Sequence, residues 1–135
     1  MKISLQFFGG SGARLGVSDS GKPYGTEYHT VYEQGNIKFL EINDNRSPVA
    51  PLETMTSGRV YVTLGAKGQL AYITYYDKAN RRSKTIDLDH YHKVAGKKLM
   101  PHTALGYYHL GTVRDLTKKE RNMVERVLKT WKNRP

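Results

Sequence analysis

The sequence predicts an α+β fold, an antiparallel sheet of four to five strands closed by a C-terminal amphipathic helix. Two patterns carry that expectation. Successive short runs rich in β-branched and aromatic residues, separated by Gly, Asn, Asp and Pro, occupy residues 24–88, which is the signature of strands and turns. Residues 117–131 then change to an apolar period of 3.6 behind a capping signature. A chain of 135 residues has room for a single domain with a modest core. With no cysteine, disulfides, thiolate zinc sites and cysteine nucleophiles are excluded, so any metal would have to be held by His, carboxylates or backbone oxygens.

The elements follow in chain order. Residues 1–22 read as a flexible arm, and residues 23–135 as one α+β domain. The apolar start Met1-Lys-Ile-Ser-Leu-Gln-Phe-Phe is broken by Ser4 and Gln6 and stops at Gly9, too interrupted for a secretory signal. Six glycines and three serines then fall within residues 9–25, a composition that favours open chain over packing. Tyr28 to Tyr32, Ile37 to Ile42 and Arg59 to Leu64 read as strands. In the third, Val60, Val62 and Leu64 share one face and Tyr61 and Thr63 the other. Asn43 to Pro51 is a loop, because its two prolines lack the donors a sheet ladder needs. Leu70 to Tyr76 and Arg82 to Leu88 make a hairpin around Asp77-Lys-Ala-Asn80. Thr117 followed by Glu120 is a capping box, and Met123, Val124, Val127, Leu128 and Trp131 form the apolar stripe of a helix of about four turns. Apolar runs are only a few residues long, so no membrane partner is expected.

The charge is unevenly placed. The chain carries a net +10, yet residues 1–77 hold seven cations and seven carboxylates, and residues 78–135 hold fifteen and five. All of the excess follows Asp77, the footprint expected of a surface that meets a polyanion such as nucleic acid. A solvated basic face serving solubility would give the same count.

Four of the five histidines fall within residues 90–109. The segment reads Asp87-Leu-Asp-His90-Tyr-His92, a Lys/Gly-rich loop with Lys93, Gly96, Lys97 and Lys98, then Pro101-His102-Thr103 and Gly106-Tyr107-Tyr108-His109. If the strand continues past Leu88, Asp87, Asp89 and Tyr91 point to one face and His90 and His92 to the other. One chemistry for this set is metal-independent RNA cleavage, which needs a base for the ribose 2′-OH, an acid for the leaving oxygen and cations for the phosphorane. Imidazoles suit the first two tasks, with an ordinary pKa of ~6.5. His90, His92, His102 and His109 are the catalytic candidates. Arg81, Arg82, Lys84, Lys97 and Lys98 are the phosphate contacts, and Tyr107 and Tyr108, with Tyr91, the base-stacking rings. No cofactor is required. A second chemistry is a zinc or manganese site of Asp87 or Asp89 with two or three histidines, although the spacing matches no strong motif such as HExxH. His29, isolated in the first strand, reads as structural.

The stretch Ile73-Thr-Tyr-Tyr-Asp77-Lys-Ala-Asn-Arg81-Arg-Ser-Lys-Thr-Ile86-Asp87-Leu, with His90, His92, Pro101-His102-Thr103, Gly106-Tyr107 and His109, resembles a toxin-type domain found at the C-termini of phage minor head proteins and in polymorphic toxins. Such domains are grouped with small RNases of the barnase, EndoU, colicin and RelE type, whose fold is a helix-supported antiparallel sheet. The opening Leu5-Gln6-Phe7-Phe8-Gly9 is similar to the first residues of structural proteins of phages of Gram-positive hosts. The resemblance covers roughly residues 22–133. It implies a phage protein directed at nucleic acid, RNA above all, acting in the host bacterial cytoplasm or associated with the virion, with an immunity protein as a further partner. One departure matters. The family pattern continues after Pro-His-Thr with another histidine, where this chain has Ala104 and Leu105. That leaves open a non-enzymatic alternative, either a virion component or an inhibitor that binds a host defence nucleoprotein complex.

Overall fold

The computed structural model describes residues 27–43, 47–108 and 112–135. The arm expected at residues 1–22 lies outside them. The strands are β1 (Tyr28–Gln34), β2 (Ile37–Ile42), β3 (Val60–Leu64), β4 (Leu70–Tyr76), β5 (Arg82–Asp87), β6 (His92–Val94), β7 (Lys97–Leu99), β8 (His102–Leu105) and β9 (Val113–Arg114), followed by the helix α1 (Lys118–Lys132). The architecture is α+β. A seven-stranded sheet of order β1-β2-β3-β4-β5-β8-β9 carries one helix, and β6 and β7 form a separate two-stranded ribbon inserted between β5 and β8.

Two features exceed the sequence expectation. The sheet has seven strands among the described residues, because β8 and β9 extend it beyond β5. It is mostly, not wholly, antiparallel: β2 pairs with β3 in parallel, from Ile37 opposite Val60 to Leu40 opposite Thr63. A parallel pair needs a long crossover, supplied here by the proline-containing segment between the two strands. That segment is tied down on its way. Tyr76 donates to the Pro51 carbonyl at 2.7 Å, Tyr61 and Thr54 share a hydroxyl–hydroxyl bond of 2.7 Å, and the Thr54 N–H reaches the Asn80 carbonyl at 2.9 Å.

The core lies between the sheet and α1. Ile37, Phe39, Val60, Val62, Ile73 and Ile86 from the sheet meet Leu116 and Val127, with Met123, Val124 and Trp131 packed against them. The alternation of β3 is as its sequence reads at Val60 and Val62, which lie in this cluster, and at Tyr61, turned to Thr54, whereas Leu64 follows a register shift after Thr63 and is buried outside the cluster. Phe39 stacks on Trp131 with centroids 4.8 Å apart. Leu128 departs from the expected stripe and is 50% exposed. One residue past Val127 is ~100° further round the helix, which carries it off the buried face. The capping box forms as expected: the Glu120 N–H donates to Thr117 Oγ1 at 3.2 Å and the Thr117 N–H to Glu120 Oε1 at 2.9 Å. No helix among the described residues is long and apolar enough to cross a membrane.

Candidate functional site

The side chains that the sequence groups into one patch divide between the two ends of β5. With ~3.4 Å per residue in an antiparallel strand, Arg82 and Asp87 lie about 17 Å apart. The histidines gather at the Asp87 end. Tyr107, Tyr108 and Arg81 gather at the Arg82 end.

At the Asp87 end the strand stops, contrary to the continuation considered from sequence. Asp87 Oδ1 accepts the N–H groups of Asp89 at 2.8 Å and His90 at 2.9 Å, and this side-chain turn folds the chain back. Asp87 and His90 therefore meet instead of facing opposite ways, with His90 Nδ1 3.4 Å from Asp87 Oδ2. The same oxygen is 3.9 Å from Nε2 of His102, its cross-strand neighbour in β8. His102 is buried and its Nδ1 lies 3.2 Å from the Leu99 carbonyl, so that nitrogen carries the proton. The His92 ring is 5.7 Å from the His102 ring. His90 is exposed and stacks against Tyr72 at 6.4 Å. One carboxylate, one buried imidazole and two exposed imidazoles thus share this end, and the ribbon adds exposed Lys93, Lys97 and Lys98. His109 lies outside the described residues.

The metal alternative gains nothing from this arrangement. Among the described residues no group of three or more His, Asp or Glu is placed to hold a metal ion. Asp89, one of its expected ligands, accepts a hydrogen bond from Gln69 Nε2 at 3.1 Å.

At the other end, two expected phosphate contacts serve the fold. Arg82 is buried, and its guanidinium donates to the Tyr107 carbonyl at 2.9 Å and to the Ala50 carbonyl at 3.0 Å. Burial lowers its pKa from the ordinary arginine value. Arg81 lies over the Tyr107 ring, 4.0 Å from its centroid, and the Tyr107 hydroxyl donates to Glu53. Tyr108 meets Tyr107 edge to face at 4.5 Å. Lys84 is spent on Glu120, with Nζ 2.7 Å from Oε2, and lies over the Tyr75 ring.

Glu120 is the polar residue that sequence reading undervalues. It stands in the first turn of α1, on the buried face of the helix, and is 1% exposed. Its carboxylate also accepts two bonds from Arg114, at 2.9 and 3.0 Å, and one from Thr103 Oγ1 at 2.9 Å. Burial pushes its pKa up. Hydrogen bonds from Arg114, Lys84, the Thr117 N–H and Thr103 outweigh that and hold it well below the ordinary carboxylate range. The signal was available, since Glu120 falls on the same 3.6-residue stripe as Met123, Val124 and Val127. His29 lies away from both ends of β5, with Nε2 3.1 Å from Glu41 and Nδ1 2.6 Å from Asn43 Oδ1.

No protein-family model matches the chain, and no curated protein and no solved structure matches it either.

Proposed function

We propose that the protein is a phage-encoded, RNA-directed protein of the small RNase-toxin type, acting in the host cytoplasm through the Asp87 end of β5. The observation that carries this reading is the convergence there of Asp87, His90, His92 and His102 with the lysine ribbon. In this mechanism an imidazole takes the ribose 2′-OH proton as that oxygen attacks phosphorus. A second imidazole protonates the 5′ oxygen as the P–O5′ bond breaks, leaving a 2′,3′-cyclic phosphate and a 5′-OH. His90 and His92 are the exposed pair for the two proton transfers. Asp87 orients His90, and the ribbon lysines stabilise charge on the phosphorane. Arg82 and Lys84 are not part of this proposal, because both are held by internal acceptors.

Incubation with structured and single-stranded RNA in EDTA tests it. Cleavage to 2′,3′-cyclic ends is expected, with a loss of roughly 100-fold or more in a His92→Ala variant. No cleavage by the wild type, or cleavage unchanged in His92→Ala, sinks the enzyme reading.

A second reading, a non-enzymatic virion component or inhibitor of a host nucleoprotein complex, is favoured by Ala104. It stands where the toxin pattern has a histidine, and it lies buried beside Thr85 in the sheet. That reading predicts a stable, salt-sensitive complex without turnover. Failure to retain a host or virion partner in a low-salt pull-down counts against it.

A further inference from the structure

We infer that the outward face of the β6–β7 ribbon, formed by Tyr91, Lys93 and Lys98, is a subsite for a nucleotide of a single-stranded RNA, the two ammonium groups taking a phosphate and the Tyr91 ring a base. This rests on the proposal that RNA is the partner and adds where, and by which groups, it is held.

The ribbon is closed by Ala95 and Gly96, with φ of 51° and 82°. Positive φ at both central positions is the requirement of the mirror-image two-residue turn that suits strand twist, and it sets the register. His92 then stands opposite Leu99, Lys93 opposite Lys98, and Val94 opposite Lys97. Directly opposed residues share a face, so Lys93 and Lys98 form one side while His92 lies on the other, near His102.

Two like charges directly opposed on a strand pair are destabilising, and a two-stranded ribbon has little stability to spare. A slip of one residue would exchange the faces, but the turn forbids it. Neither lysine has a carboxylate partner among the described residues. Lys98 is instead held 4.5 Å from the Tyr91 ring centroid, and Tyr91 is 49% exposed. A bridging phosphate turns the repulsion into attraction. An aromatic ring beside paired cations is the combination that binds single strands, with stacking to the base and charge to the backbone. Tyr91 lies between His90 and His92 in the chain, but His92 faces the other side of the ribbon, so a nucleotide held here is one that flanks the cleaved bond on the same strand.

The test uses the full chain and a labelled 2′-O-methyl oligouridine, which lacks the attacking hydroxyl, so that binding is read without cleavage. Anisotropy is followed across a salt series, and thermal midpoints are recorded for each variant. Lys93→Gln/Lys98→Gln is expected to weaken binding and to flatten the salt slope by about 0.7 for each phosphate no longer neutralised. Tyr91→Ala is expected to weaken it roughly 5- to 160-fold, the range for one stacked base. Lys98→Glu removes the like-charge opposition. It is expected to keep or raise the thermal midpoint while binding falls. Wild-type affinity and slope in the double variant overturn the subsite and leave the RNA reading standing, whereas no binding by the wild type overturns both. A midpoint of Lys98→Glu that falls along with binding assigns the lysine to the ribbon's integrity and also overturns the subsite.

Discussion

Two cationic regions of this molecule put the same side chains to opposite uses. At the junction of α1 with the sheet, Lys84 and Arg114 converge on a buried carboxylate and every charge has its partner. On the ribbon, Lys93, Lys97 and Lys98 are exposed, and two of them oppose each other. Charge at the junction is structural, because an ion out of water is tolerated only when its hydrogen bonds are met. Charge on the ribbon keeps its water and remains free for an external anion. A net charge therefore indicates a partner only after the internally committed cations are removed from the count.

The largest expected effect lies at the junction. Glu120→Ala leaves Lys84 and Arg114 without their acceptor and is expected to cost about 3–5 kcal/mol, a large part of a small domain's stability, read from the urea midpoint. A midpoint within error of wild type would falsify the view that Glu120 locks α1 to the sheet.

The same carboxylate gives the junction a pH dependence. Its folded-state pKa is depressed, so the unfolded chain binds that proton more readily. The contribution is complete above the ordinary carboxylate pKa of ~4.3 and is lost as pH falls through the lower folded value. Stability measured from pH 6 to pH 3 is expected to decline in wild type and to decline less in Glu120→Gln.

Arg82 and Lys97 sharpen the contrast at smaller scale. Arg82→Ala leaves the Ala50 and Tyr107 carbonyls short of a donor and is expected to cost about 1–3 kcal/mol, measured by denaturant unfolding. Lys97→Gln is expected to shift stability by no more than about 0.5 kcal/mol while weakening oligouridine binding. The reverse pattern, RNA binding lost in a fully stable Arg82→Ala, breaks the division of the cations.

The five strands from Tyr28 to Asp87 were legible as β-branched and aromatic runs between turn residues, with a clear period in β3, and the helix by its apolar period and capping box. The β6, β7, β8 and β9 strands were not. His92–Val94 and Lys97–Leu99 are short and solvated on both faces, His102–Leu105 is nearly continuous in its burial, and Val113–Arg114 is too short to alternate. The parallel β2–β3 pair was hidden for another reason, since alternation in one strand carries no information about its neighbour's direction. Of the site, the gathering of His90, His92 and His102 was readable from their nearness in the chain. The separation of Tyr107 from them was not, because it depends on the turn that Asp87 makes at the end of β5. Nor was the internal commitment of Arg82, whose acceptors are backbone carbonyls distant in sequence.

The parallel pairing also sets an order on assembly. The β1–β2 hairpin and the β3–β4–β5 meander are each local in the chain, so each closes only short loops. Joining them side by side requires the whole intervening segment to be looped first, a later and costlier closure. The β1–β2 hairpin and the β3–β4–β5 meander are therefore expected to form before the β2–β3 seam joins them, an order that φ-values from conservative substitutions on either side of the seam would read.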